Sequence, residues 1–257
     1  MIRQFQTDSL KVKIFRTRME MGAHAATEAA QCIRNLLRQK ESINIIFAAA
    51  PSQNDFLSSL IHEDNIEWQR INAFHMDEYI GLSREAPQGF GNFLKHAIFD
   101  KVPFKQVHYL YNENLKAEEN CTRYEALLGD YPTDIVFMGI GENGHIAFND
   151  PHVAMFDDPK LVKIVDLDLA CRQQQVNDGC FASLDDVPVH AMTLTIPALM
   201  RAKHLFCMVP TGRKAIAVKL TVEGKINESC PASILRNHAS ATLYVDKDSA
   251  GLLNRDN

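Results

Sequence analysis

The chain has 257 residues, a formal net charge of −5, 46% hydrophobic and 23% charged residues, which is the make-up of an ordinary globule with ample chain for a large core. The mildly acidic balance gives no support for a nucleic-acid or membrane-surface partner. No apolar run approaches the roughly 18 residues that a membrane span would need.

Arg3, Gln4, Gln6 and Asp8 interrupt the opening stretch, so it does not read as a charged-then-apolar leader. Thr17-Arg18-Met19-Glu20 predicts a capping box that opens a helix through about Lys40. Ile43 to Ala48 is a short β-branched run, hence a strand. A helix around Phe56 to Ile61 and a strand from Arg70 to Phe74 follow. Helices are predicted near Phe90 to Phe99 and Leu115 to Leu128, then a strand from Asp134 to Met138 that Gly139 stops. Ala191 to Thr195 and His204 to Val209 read as two further strands. Pro210-Thr211-Gly212 leads into a helix from about Arg213 to Glu223, and Thr242 to Val245 is the final strand.

This alternation predicts an α/β fold, a mostly parallel sheet with helices on both faces, as one undivided domain over residues 1–257. Residues 151–190 break the rhythm and are expected to form a loop-rich, lid-like excursion. Six cysteines stand at 32, 121, 171, 180, 207 and 230. None forms a C-x-x-C pair, so their spacing supports neither a zinc site nor a thioredoxin-like motif. Free thiols in a reducing cytoplasm are the simplest expectation.

Two segments carry the chemistry: Phe74-His75-Met76-Asp77-Glu78-Tyr79, and Gly139 through Pro151. Each lies past the carboxyl end of a predicted strand, where open α/β sheets bind ligands. Asp77, Glu78, His145 and Asp150 offer carboxylates and an imidazole suited to dividing acid and base work. The bland alternatives are solvated loop acids for Asp77 and Glu78, a backbone-bonded histidine for His145, and a turn-initiating aspartate before Pro151. Asn143 can only hydrogen-bond. Gly139-x-Gly141-x-x-Gly144 matches a dinucleotide fingerprint literally, but Asn149-Asp150-Pro151 cuts off the helix that fingerprint requires. A glycine turn that brings backbone close to a ligand accounts for it better. Lys214 sits in the first turn of a predicted helix, where the dipole disfavours a cation unless an anion docks there as well. Thr211, Gly212 and Arg213 could complete a phosphate pocket, and Ser52 and Gln53 could cap a helix or bond a phosphate.

Phe74-x-Met76-Asp77-Glu78-Tyr79-x-Gly81-Leu82 and Gly139-Ile140-Gly141-x-Asn143-Gly144-His145-Ile146-Ala147-Phe148-Asn149-x-Pro151 resemble the two signatures of the glucosamine-6-phosphate deaminases. Lys214-Ala215-x-Ala217 with Val222-Glu223-Gly224 is the third match, and the likeness covers nearly the whole chain. The resemblance implies a modified Rossmann-type three-layer α/β/α sandwich with no cofactor and no metal. It implies conversion of glucosamine 6-phosphate and water to fructose 6-phosphate and ammonia. Asp77 then resembles the base acting at C2 and C1, His145 the ring-opening residue, Asp150 its partner in place of a glutamate, and Lys214 the phosphate ligand. Asn143 stands where some members carry aspartate. Ser52, Gln53, Glu78, Gly141, Gly144 and Arg172 complete the expected substrate contacts.

Three departures stand out. Ala49-Ala50-Pro51-Ser52-Gln53-Asn54 replaces a Thr-Gly-Gly-Thr-Pro loop, Asp150 is one carbon short of glutamate, and only Arg172 is on hand as a lid arginine. They imply a divergent member acting on glucosamine 6-phosphate or an epimer such as galactosamine 6-phosphate. A 6-phosphogluconolactonase-type hydrolase and a non-catalytic sugar-phosphate-binding regulator stay open as alternatives, as does a homo-oligomer.

Overall fold

The opening stretch, whose polar residues mask any strand pattern, is a β-hairpin: β1 (Arg3–Thr7) pairs antiparallel with β2 (Leu10–Phe15). In this computed structural model residues 1–83 and 85–254 are described. The helix α1 (Arg18–Leu37) begins where the cap predicts, with Thr17 Oγ1 accepting from Glu20 N at 3.1 Å. Only half of the capping box forms, because the Glu20 carboxylate turns to Arg16 N instead of Thr17 N. The helix stops at Leu37, short of Lys40, and the Arg70 guanidinium takes the carbonyls of Leu37 and Lys40 at 2.8 and 2.6 Å.

The chain continues through β3 (Ile43–Phe47), α2 (Asn54–Leu60), β4 (Ile71–His75), the short β5 (Asp77–Tyr79) and α3 (Phe90–Leu94). A π-helical turn over Lys95–Phe99 extends α3, and β6 (Gln106–His108), α4 (Ala117–Asp130) and β7 (Ile135–Met138) follow. Next come β8 (Val162–Asp166), α5 (Leu169–Asn177), β9 (His190–Leu194), α6 (Ile196–Met200), β10 (His204–Val209), α7 (Ala215–Glu223) and β11 (Ala241–Asp246). Between its loops the expected excursion over residues 151–190 also holds β8 and α5. Both are weakly patterned: β8 exposes Ile164, and α5 is largely polar.

The main sheet has eight strands in the order β1-β2-β11-β10-β7-β3-β4-β6, parallel except for the β1–β2 hairpin. Alternate residues feed two cores. Ile45 and Phe47 of β3 pack with Ala26, Ala30 and Phe56 on one face, and Ile46 packs with Tyr124 and Leu199 on the other. This is the three-layer α/β/α sandwich. A second sheet, β5-β9-β8, is antiparallel and sets Asp77 opposite Thr193.

Strand order places the site. From β3 the chain moves outward through β4 to β6. It returns to β7 on the other side of β3 and then moves away through β10 and β11. The loops after β3 and β7 thus part at a topological switch point, which is where such sheets open a ligand crevice.

Candidate active site

At that crevice the loops after β3, β4, β7 and β10 enclose a cavity of about 110 Å³, whose lining includes Ser52, Gln53, Asp77, Gly141, His145 and Lys214. A larger cleft of about 710 Å³ lies between α3 and β6, with Glu78, Lys95 and Tyr109 in its wall. It holds neither Asp77, His145 nor Lys214. Converging titratable groups, more than volume, mark a site of chemistry, so the smaller cavity is the candidate.

Asp77 opens β5 just past the end of β4. It is buried, and no described residue hydrogen-bonds its carboxylate; Oδ1 is entirely shielded and unpartnered. Burial first, and then the neighbouring Glu78 charge, hold its carboxyl well above the usual carboxylate range. Beneath it His75 bridges two segments. One ring nitrogen, Nδ1, lies 2.9 Å from the Asp77 carbonyl, and Nε2 accepts from Leu110 N at 2.9 Å. The carbonyl can only accept and the amide can only donate, so these partners assign a neutral ring with its proton on Nδ1. Burial pulls the His75 pKa down to about 4, with the Asp77 carbonyl opposing and the Arg123 charge assisting. A neutral buried ring thereby pins the backbone that presents Asp77.

Glu78 is not brought to this cavity. Its carboxylate accepts from Tyr79 N, Phe90 N and Gly91 N at 3.0, 2.9 and 2.8 Å, tying β5 to the start of α3. Burial still raises its pKa against these three bonds.

The loop from Gly139 to Asp150 is built around His145. Gly141 N donates to the His145 carbonyl at 2.9 Å, and a β-carbon at Gly141 would run into the imidazole. Gly144 takes φ +86°, and a β-carbon there would stand 2.8 Å from Cys230 Sγ. His145 Nδ1 lies 2.9 Å from Asp150 Oδ1. The approach is off the line of a hydrogen bond, and such bonds in ligand-free sites often straighten only around substrate. The shorter side chain at position 150 does span the gap. Burial raises the fully buried Asp150, but His145, the Asn143 amide and the Asp168 N–H outweigh it and leave its pKa lowered to about 2.

Asn143 stands behind this pair, outside the cavity wall. Its Nδ2 donates to Asp150 Oδ1 at 2.9 Å and Asp168 Oδ2 at 3.1 Å, and its Oδ1 accepts from His145 N at 3.1 Å. Gly144 also shapes the loop without lining the cavity.

On the far wall, Thr211 holds φ +81°, a strained value for a β-branched residue, with its N–H shared by both Asp246 oxygens at 3.2 and 3.1 Å. This turn delivers Lys214 to the cavity as the last residue before α7. Lys214 N donates to Thr211 O at 3.1 Å, while its buried ammonium has no hydrogen bond or ion pair to any described residue. Burial lowers its pKa, while the Asp178 and Glu142 charges pull the other way. Gln53 Nε2 donates to Met208 O at 3.2 Å and Ser52 Oγ at 3.1 Å, and its Oε1 is buried without a partner. Arg213 leans away onto Asn177 O at 2.8 Å.

The family model for glucosamine-6-phosphate isomerases/6-phosphogluconolactonase matches residues 16–244. The chain belongs to this family. A glucosamine-6-phosphate deaminase of Listeria innocua is 32% identical over 211 residues, covering 82% of this chain and 88% of the relative. One from Bacillus cereus is 33% identical over 220 residues, covering 86% and 82%. A solved monomeric glucosamine-6-phosphate deaminase superposes with a TM-score of 0.85 at 29% identity, covering 94% of this chain and 99% of that one. A 6-phosphogluconolactonase from Thermotoga maritima gives 0.74 at 19% identity over 92% and 99%, which shows a shared fold alone.

Within this family member, the expected lid arginine is occupied elsewhere. Arg172 Nη2 donates to the carbonyls of Leu184 and Val187 at 2.6 and 2.9 Å, strapping the segment after α5, and it does not reach the cavity. The α5 segment contributes Gln174, Gln175 and Asp178 to the wall instead, and Arg18 enters from the start of α1. None of these four is among the site residues expected from the sequence. Gln174 and Gln175 left one signal, adjacent glutamines in a helix too polar to be core, and Gln174 Oε1 takes Glu142 N at 2.8 Å. Arg18 left none, because it sits inside a capping sequence.

Proposed function

We propose that this protein is an amino-sugar-phosphate deaminase and aldose–ketose isomerase. Its substrate is glucosamine 6-phosphate or a close epimer such as galactosamine 6-phosphate. One observation carries this reading: Asp77, a buried carboxylate, and the buried Lys214 ammonium, neither of them paired to any described residue, share a small cavity with His145, which Asp150 backs. A base, an oriented imidazole and an anion-seeking cation are the set that moving a proton along a phosphorylated sugar needs.

Lys214 and the first N–H groups of α7 hold the phosphate, with Ser52 and Gln53 as further donors. His145, set beside Asp150, moves the proton that opens the pyranose ring. Asp77 takes the C2 proton, giving an enolamine, and returns it to C1, giving a ketimine. Water then adds at C2 and ammonia leaves, so the products are a ketose 6-phosphate and ammonia. No step is a redox step. Residues around α5 act as the lid over this cavity, with Gln174 and Gln175 facing the sugar. Six free thiols favour a reducing, cytoplasmic setting.

Purified protein incubated with each epimer, and separately with 6-phosphogluconolactone, tests the assignment. Ammonia and ketose phosphate from an epimer support it. Lactone hydrolysis without ammonia assigns the hydrolase reading, and binding with neither product assigns a regulator.

A further inference from the structure

Cys171 lies in the first turn of α5, and folding carries it to the His145–Asp150 pair. Its Sγ, a ring nitrogen of His145 and a carboxylate oxygen of Asp150 all lie within 4.8 Å of one another, on three buried residues. The His145 Nδ1 nitrogen facing this group is buried and makes no hydrogen bond. The helix turn that carries Cys171 is held by the same net that orients Asp150. Asp168 caps α5 by accepting from Cys171 N at 2.6 Å, accepts from Asn143 Nδ2 at 3.1 Å, and donates its own N–H to Asp150 Oδ2 at 3.3 Å. His145 lines the cavity, so one side of the group opens to it.

Nitrogen, oxygen and sulfur donors together suit zinc and its borderline-soft neighbours, whereas calcium and magnesium take oxygen shells. We propose that His145, Asp150 and Cys171 form a binding site for a thiophilic divalent cation such as Zn²⁺, and that its occupancy inhibits the enzyme. On binding, the Cys171 S–H bond breaks and the proton leaves to solvent. The thiolate sulfur, a His145 nitrogen and an Asp150 oxygen each give a lone pair to the cation, and a water from the cavity fills the fourth position. Nothing is oxidised or reduced. The imidazole and its carboxylate are then withdrawn from the substrate, which is why occupancy stops turnover. The inhibitory half rests on the deaminase reading; the binding half does not.

Cobalt(II) tests the binding half without any substrate. The wild-type protein is expected to bind one equivalent with a near-ultraviolet thiolate-to-cobalt charge-transfer band, which Zn²⁺ abolishes by displacement. Cys171→Ser and Cys171→Ala are each expected to lose the band, and His145→Gln to weaken cobalt binding. Both cysteine variants keep metal-free turnover, while the Zn²⁺ concentration for half-inhibition rises at least ~10-fold, as for loss of a metal-orienting contact. A band of undiminished intensity in both cysteine variants would place the metal on another thiol and overturn the site, as would no band in wild type. A band present in wild type, lost in the variants and unaccompanied by any amino-sugar turnover would keep the site and reject the deaminase reading.

Discussion

The imidazole of His145 occupies the space that a β-carbon at Gly141 would take. Gly141→Ala must therefore push the ring from its place beside Asp150. A displacement near 1 Å costs on the order of 100-fold. The variant is expected to lose about that factor in kcat while still binding phosphate. A KM change with kcat intact would show that His145 does not need this position.

The pH profile follows from Asp77. It must be ionised to take a proton, and burial together with the Glu78 charge makes it hold its own proton to higher pH. The acid limb of kcat/KM is thus expected above the ordinary aspartate value of about 3.9. Glu78→Gln removes the adjacent negative charge and should move that limb to lower pH. An acid limb at the ordinary value in wild type would contradict the assignment of Asp77 as base.

Asp77 also costs stability. An acid whose folded pKa is raised binds a proton in the native state that the unfolded chain has already released. Between the two values stability falls as pH rises. Asp77→Asn is expected to raise Tm at neutral pH by a few degrees, roughly 1 kcal/mol at this size. Scanning calorimetry decides it, and a lowered Tm would mean that the carboxylate has a stabilising partner.

Asp150 has the opposite sign. Its pKa is lowered to about 2, so its contribution is fully present above the unfolded value of about 3.9 and is lost as pH falls through about 2. Asp150→Asn should flatten acid unfolding across that window and reduce kcat, because His145 loses the carboxylate beside it. Unchanged acid unfolding in the variant would deny the pairing.

Lys214 and Arg172 separate phosphate binding from scaffolding. Inorganic phosphate should raise the Tm of wild type and leave that of Lys214→Met unmoved, and KM in that variant should rise at least ~10-fold, about 1.4 kcal/mol. Arg172→Ala loses charged hydrogen bonds to Leu184 and Val187, expected to cost about 2 kcal/mol of stability, while the phosphate-induced shift persists. A phosphate shift abolished in Arg172→Ala and kept in Lys214→Met would exchange their roles.

The contrast between Asp77 and Glu78 shows what could be read from the chain. Both lie at a strand's carboxyl end, and both look equally fit for the site. They fall on β5, however, where successive side chains point to opposite faces, so Asp77 meets the cavity and Glu78 meets α3. The pairing of β5 with β9, which fixes that alternation, is long-range and leaves no local trace. Buried apolar runs such as Ile43–Phe47 and His204–Val209 were legible because the central strands are covered on both faces. The β1 hairpin and β8 were not, since edge strands carry exposed polar residues that blur the pattern. His145 and Lys214 were legible through the residues around them. The role of His75 was not, because it depends on Leu110, which is 35 residues away.

The decisive measurement follows ammonia and ketose 6-phosphate together from glucosamine 6-phosphate and galactosamine 6-phosphate, with wild type and Asp77→Asn side by side. Wild type should release the two products in equal amounts from one epimer. The variant should bind that substrate and release neither above about a thousandth of the wild-type rate, in line with the loss of a general base. Turnover in Asp77→Asn within a few-fold of wild type, or wild-type protein that releases no ammonia from either epimer, would contradict a carboxylate-driven deamination in this cavity.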